Sequence, residues 1–376
     1  MKITFALPGY PLRPCGGFRV VYEYANHLAA RGHEVTVVHP RRLHLGPQPP
    51  APNFYRLLRR KGAALRDQLF RPNINHWQSV DPRAQLLYVP DLTSRRVPDA
   101  DAVFATAWDT AEYVNGYPGS KGEKFYLIQS YETWGGPKDR VDATWKLPLH
   151  KVVIADWLYD LGTQMGCQDM VKIPNGCDHS RFKVSDAIHG RPKRISMMFS
   201  HRELKGSADG LAALEKVRSS HPDLEAILFG IPSRPESLPA WIQYRQNPSQ
   251  SELADIIYGR SRIFVCSSWT EGFALPPAEA MACGCAVVST DCGGVREFAM
   301  DGSTALLSPP RNPEALAMNI LRLLEDEDLR TRLALEGHKE IKAFTWERST
   351  SLLEEFINSH VRGRVQEVEH SRLECH

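Results

Sequence analysis

Short unbroken apolar runs alternate along this chain with longer stretches in which apolar residues recur roughly every three to four positions. Ile3 to Leu7, Glu34 to His39, Ala102 to Thr106, Tyr126 to Gln129 and Val152 to Ala155 form one series of such runs. Arg194 to Ser200, Glu225 to Gly230, Ile263 to Cys266 and Ala286 to Thr290 form a second. A strand covered on both faces carries no polar alternation, so these runs read as buried parallel strands. Between the first two, Phe18 to Arg31 puts Val20, Val21, Tyr24, Ala25 and Leu28 on one side of a helix, which Gly32 ends. The second series is predicted to carry a helix starting near Ala208, a helix-like Ser251 to Tyr258 and a long helix from Glu314 to Leu335 with an acidic patch at Glu325 to Asp328. Strand, helix, strand repeated twice over 376 residues predicts two doubly wound α/β domains.

The most specific chemistry lies between two strands of the second series, at Glu271-Gly272-Phe273-Ala274-Leu275-Pro276-Pro277-Ala278-Glu279-Ala280-Met281-Ala282-Cys283-Gly284. Pro277 suits the first turn of a helix and Gly284 its left-handed end, which leaves about two turns. Glu271 then stands in the loop at a strand's carboxyl end and Glu279 inside the helix. Open parallel sheets bind ligands at that edge, where the amides of Phe273, Ala274 and Leu275 can hold an anion. Two carboxylates beside an anion site suit a phosphate joined to hydroxyl-rich groups, which is the chemistry of a nucleotide-sugar. Glu279 is assigned to the ribose, because a carboxylate accepts two hydrogen bonds from a diol. Glu271 is assigned to a sugar hydroxyl near the reacting centre. Taken singly, each residue also reads as a solvated loop Glu or a helix Glu near the positive end of the dipole.

Charge is nearly balanced, with 46 Lys+Arg against 44 Asp+Glu, so no global field points to nucleic acid. Eight Cys lie scattered without metal-ligand spacing and read as reduced cytosolic thiols. The opening apolar run is too short for a signal peptide, and no stretch reaches the roughly 18 to 20 apolar residues of a membrane span, so the expected location is cytoplasmic. Residues 41–71 depart from the pattern. Arg56, Arg59, Arg60, Lys61, Arg66 and Arg71 interleave with Leu57, Leu58, Leu65 and Phe70. They read either as a solvated insertion or as an amphipathic helix suited to peripheral contact with an anionic membrane face.

The Glu-x7-Glu segment resembles the donor-site signature of retaining glycosyltransferases of the GT-B fold, family 4. Gly16-Gly17, Arg31 to Val37, Ile173-Pro174-Asn175-Gly176-Cys177-Asp178 and Lys205-Gly206 follow in that family's order. The resemblance implies an α/β GT-B architecture, with two Rossmann-like domains facing a central cleft. Residues 1–173 would bind the acceptor and 174–345 the nucleotide-sugar donor, and 346–376 would form a helix crossing back onto the first domain, with a polar, frayed tail beyond about 363. It further implies retaining transfer of a sugar to a hydroxyl of a sugar, lipid-linked or small-molecule acceptor, with no cofactor and no metal. The alternatives are a nucleotide-sugar-binding protein without transferase activity and a GT-B nucleotide-sugar epimerase.

In that family an Arg and a Lys after the first strand of the second domain clamp the diphosphate. Lys205 matches the Lys, and Arg202 stands nearer to it than the family's Arg does. The first-domain catalytic position matches Asp109 most closely, with Trp108 beside it either shaping a sugar pocket or packing in the core. The Thr106 to Ala111 and Gln129 to Glu132 wording is loosely similar to a polysaccharide rhamnosyltransferase branch. Gly16 and Gly17 lack the dinucleotide spacing and read either as a close approach to diphosphate or sugar, or as plain turn glycines. Asp99-Ala100-Asp101 precedes its strand and reads as a surface turn at the edge away from the site.

Overall fold

The computed structural model describes residues 1–10, 13–43 and 77–373, with the side chains of 362–373 left aside. Most of the basic segment at 41–71 therefore lies outside the described residues.

The chain divides into two compact units. The first comprises Met1–Ile154, Leu158–Ile173 and Thr350–His376, and the second Ala155–Trp157 and Pro174–Ser349. In the first unit the strands are β1 (Lys2–Ala6), β2 (Glu34–Pro40), β3 (Gln85–Val89), β4 (Ala102–Ala105), β5 (Glu123–Ile128), β6 (His150–Val153) and β7 (Met170–Lys172). They form one sheet in the order β3-β2-β1-β4-β5-β6-β7, with every pairing parallel. The second unit's strands are β8 (Arg194–Met198), β9 (Glu225–Gly230), β10 (Ile242–Gln246), β11 (Ile263–Cys266), β12 (Ala286–Thr290) and β13 (Leu306–Ser308). Their order is β10-β9-β8-β11-β12-β13, again all parallel. Both are doubly wound sheets, and each has one switch point where the strand order reverses, β1/β4 in the first unit and β8/β11 in the second.

Among the described residues the α-helices of eight residues or more are α1 (Gly16–Ala30), α2 (Trp108–Asn115), α3 (Lys138–Trp145), α4 (Asp156–Gln164), α5 (Ser207–Ser220), α6 (Leu275–Ala282), α7 (Pro313–Glu325), α8 (Glu327–Ile341) and α9 (Trp346–Leu373). Val20, Val21, Tyr24, Ala25 and Leu28 of α1 are buried, as the periodicity predicts. The helix opens on Gly16 and Gly17, however, so these glycines stand in its first turn and not in a loop before it. Ser251 to Tyr258 is mostly a π-helix, Leu253–Tyr258. The edge strands β3, β7, β10 and β13 are too short or too exposed to stand out as apolar runs.

One expectation fails at 314–335. Asp326 leaves the helical region, with φ −112° and ψ 93°, and its side chain accepts the amide of Leu329 at 2.8 Å. The predicted single helix is thus α7 followed by α8. Arg330 fixes the break: it is fully buried and donates to the carbonyl of Ile188 at 3.2 Å and to Glu327. At the other end α9 remains helical to Leu373, past the point where a frayed tail is predicted.

Candidate functional site

In the second unit, the loops that follow β8 and β11 flank the switch point. The first carries Lys205 and the second Glu271, and the sheet order makes these loops neighbours although 66 residues separate them. Gly206 lets the two loops touch. It holds φ +55°, and a Cβ there would stand 2.0 Å from the carbonyl oxygen of Ser267. Ser267 Oγ donates to the Lys205 carbonyl at 3.1 Å, and Trp269 N donates to that of Leu204 at 2.8 Å. Trp269 also donates its indole N–H to Asp209 of α5 at 2.7 Å.

This stitching aims the Lys205 ammonium at Glu271, with Nζ 2.6 Å from Oε1 and 2.8 Å from Oε2. Ser268 Oγ adds a third donor to Oε1 at 2.7 Å. Burial alone would lower the Lys205 ammonium, but the facing carboxylate outweighs it and the net shift is upward. The pair stays reachable, since the Lys205 side chain keeps 26% of its exposure and that of Glu271 13%. Both line a small recess with Cys266, Ser267, Ser268 and Pro276.

The Glu271 backbone is held by the loop after β12: its amide donates to Cys292 O at 2.8 Å, and Gly294 N donates to its carbonyl at 3.2 Å. Gly294 packs so closely that a Cβ would meet the Gly272 carbonyl at 2.3 Å. Ala274 takes φ +69° and turns the chain into α6, whose first turn contains Pro276 and Pro277. Proline has no N–H, so amide donors at this helix start come from Phe273, Ala274 and Leu275. The Phe273 ring is buried against Phe298 and Phe344, with centroids 5.4 and 6.0 Å away. Gly284 ends the helix at φ +81°.

The structure thus brings Lys205 and Glu271 together beside Gly272, Phe273, Ala274 and Leu275. It does not do so for Glu279 or Arg202. Glu279 is 3% exposed and receives the Tyr258 hydroxyl at 3.4 Å, while Arg202 is exposed at the start of the Lys205 loop. Sequence reading also misses Trp157, whose indole N–H donates to the Gly272 carbonyl at 3.2 Å and whose ring covers Gly293. An aromatic so far upstream gives no local signal of that contact.

In the first unit, Gly16-Gly17 follows β1, Asp109 follows β4 and Glu132 follows β5, all at the sheet's carboxyl edge. Gln129 donates to the Gly17 carbonyl at 3.2 Å. Trp108 is 5% exposed, lies under Gly136 and carries the Arg140 guanidinium 5.3 Å from its ring, so it packs in the core. Glu132 accepts the Trp108 amide at 2.7 Å and thereby caps α2, while Asp109 Oδ1 is buried without a hydrogen-bond partner. Asp99 and Asp101 are occupied at the opposite edge, by Lys121 Nζ at 2.6 Å and the Lys2 amide at 2.7 Å.

Burial raises the Asp109 carboxyl to about 6. Burial, and then the Asp109 charge, raises Glu132 to about 7. A carboxyl that binds its proton more tightly when folded favours the fold most at low pH, and that contribution is lost as pH rises through the folded value. The window here runs from the ordinary value near about 4 up to about 7. Glu132→Gln keeps an oxygen for the Trp108 amide but cannot ionise. It should therefore gain stability over the wild type between about pH 5 and about pH 8, by on the order of 2 kcal/mol. Denaturant unfolding at both pH values checks this, and a difference that does not change with pH would contradict it.

Residues 180–340 match the family model described as glycosyl transferases group 1. Phosphatidyl-myo-inositol mannosyltransferase of Mycolicibacterium smegmatis is 28% identical over 190 residues, covering 47% of this chain and 49% of that one. O-antigen chain mannosyltransferase B of Escherichia coli is 33% identical over 111 residues, 30% of this chain and 28% of that one. The chain spans about half the length, or less, of these relatives. Anabaena HepE, solved in complex with UDP-glucose, superposes with a TM-score of 0.71 at 15% identity, covering 96% of this chain and 100% of that one. Sucrose-phosphate synthase from Thermosynechococcus elongatus gives 0.69 at 17% identity, covering 95% and 98%. The fold is that of the GT-B glycosyltransferases.

Proposed function

We propose, for a chain whose residues 180–340 match the glycosyl transferases group 1 model, that it transfers a sugar from a nucleoside-diphosphate sugar to a hydroxyl acceptor with retention at the anomeric carbon. The acceptor would be a sugar, a lipid-linked carrier or a small molecule, in polysaccharide, glycolipid or natural-product glycoside synthesis. The observation that carries this reading is the Lys205–Glu271 pair at the β8/β11 switch point, beside the start of α6. A diphosphate entering there takes the ammonium as its counter-charge, with Arg202 at the mouth of the loop as the second cation. Glu271 is then released to accept a hydroxyl of the transferred sugar. As the bond from the anomeric carbon to the diphosphate oxygen breaks, charge grows on the leaving group, and a fixed cation is worth most at that moment. Glu279 reads the ribose. Asp109, with a proton affinity near neutral, is suited to take the acceptor hydroxyl's proton as the new carbon–oxygen bond forms.

Among the described residues no helix is long and apolar enough to cross a membrane. The test is a thermal-shift screen of UDP, GDP and dTDP with their sugars, followed by turnover with the best donor. A ligand at about a hundred times its dissociation constant adds roughly 2.7 kcal/mol of stability, and the preferred base should stand out. Turnover should survive EDTA, since Lys205 and the helix start supply the charge that a metal would otherwise supply. A flat screen would overturn the donor site, and activity lost to EDTA and restored by magnesium would overturn the metal-free mechanism. Binding without a glycoside product would favour the non-catalytic reading, and an altered free nucleotide-sugar would favour an epimerase.

A further inference from the structure

At the amino edge of the first unit's sheet, opposite to Asp109 and Glu132, two imidazoles and a carboxylate converge. His150 begins β6, Asp169 immediately precedes β7 and His360 projects from α9. One donor atom from each lies within 4.8 Å of the others. His150 Nδ1 faces one oxygen of Asp169, and His360 Nε2 stands 3.3 Å from the other. The two rings are tilted at 42° to each other with centroids 3.9 Å apart.

The second nitrogen of each ring decides what the first can do. His360 Nδ1 lies 2.8 Å from the carbonyl oxygen of Phe356, which can only accept, so Nδ1 carries the proton. Neutral His360 therefore turns a lone pair toward Asp169. His150 Nε2 lies 3.5 Å from a Glu123 carboxylate oxygen, so with a cation on Nδ1 the ring's remaining N–H faces that carboxylate. Both nitrogens that face Asp169 can act as ligands once unprotonated, and with its carboxylate they converge on one spot. Protonating both rings instead would set two imidazolium ions with centroids 3.9 Å apart, whose charges repel at that distance. A divalent cation would satisfy both nitrogens and the carboxylate together. The arrangement in which a metal-bound imidazole gives its other N–H to a carboxylate or a backbone carbonyl is the one that fixes the ring's tautomer and raises its basicity.

We propose that His150, Asp169 and His360 bind a zinc-class divalent ion, with water completing the shell and Glu123 orienting His150. Two nitrogens and one carboxylate suit zinc better than magnesium or calcium, which take oxygen ligands. Asp169 and Glu123 together balance the ion's charge. Because His360 lies on α9, the ion would pin that helix to the β6 and β7 ends of the sheet in the same unit. This role is structural and stands apart from the sugar-transfer reading.

The experiment titrates zinc into EDTA-treated, desalted full-length protein in competition with a chromophoric chelator. Wild type should hold one tight equivalent and melt at a higher temperature with it. Asp169→Asn and His360→Gln should each lose that equivalent and the melting shift, while their circular dichroism stays that of the wild type. Glu123→Gln, which keeps all three ligands, should weaken binding about 10- to 100-fold. Binding that persists equally in Asp169→Asn and His360→Gln places the metal elsewhere and overturns the site. A wild type that holds no equivalent also overturns it and leaves the cluster as a protonated ion pair.

Discussion

Replacing Lys205 by alanine should lower turnover about a hundredfold or more, on the order of 3 kcal/mol, while the affinity for the intact donor falls much less. The ammonium already has a counter-ion in the free protein, with both Glu271 oxygens within 2.8 Å. Part of what the donor diphosphate gains from it is therefore spent in releasing Glu271. That exchange makes its ground-state contribution small, whereas at the transition state the leaving diphosphate carries more charge and the same cation is worth more. The substitution also strips Glu271 of its partner in a half-buried recess, so melting temperature is measured beside turnover and donor affinity. Lys205→Ala with wild-type turnover would reduce the lysine to a structural ion pair between two loops.

Glu279→Ala should weaken binding of the free nucleoside diphosphate by about 10- to 100-fold, since hydrogen bonds to a charged group contribute roughly 1.5 to 3 kcal/mol. Alanine is the best helix former, so α6 itself should persist. The Tyr258 hydroxyl loses only a 3.4 Å contact. The burial of Glu279 makes this prediction informative, because a carboxylate 3% exposed is out of reach of the solvent yet sits one turn inside the helix that starts the recess. Calorimetry with the preferred nucleotide decides it. Unchanged affinity would assign Glu279 to holding Tyr258 in place and would send the search for the ribose contact elsewhere.

The two predictions differ in how far the sequence could support them. Local features were legible because local chemistry governs them. Buried parallel strands need unbroken apolar runs, and β1, β4, β8, β11 and β12 all carry them. The boundaries of α6 follow from prolines that tolerate a first turn and from Gly284, which takes the left-handed conformation that ends it. Gly206 belongs to the same class, since its φ of +55° suits the residue with no Cβ. Those elements by themselves place Glu271 in a loop at the carboxyl edge and Glu279 in a helix.

What no local pattern contains is which loops meet. Lys205 and Glu271 face each other because β8 and β11 are hydrogen-bonded neighbours at the switch point, and strand order depends on how both sheet faces are covered, a property of the whole unit. The same holds for Glu132, which reads as one more polar residue after a strand until its carboxylate closes on the Trp108 amide at 2.7 Å. Periodicity carries straight through Asp326, yet the helix breaks there, because a capping carboxylate and the buried Arg330 outweigh the weak local preference to continue. His150, Asp169 and His360 are the extreme case, 19 and 191 residues apart with no spacing to betray them. Sequence therefore determined the elements and the residue types placed at their ends. Tertiary structure decided the partners, because a contact between distant loops is set by the packing of strands and not by the residues that make it.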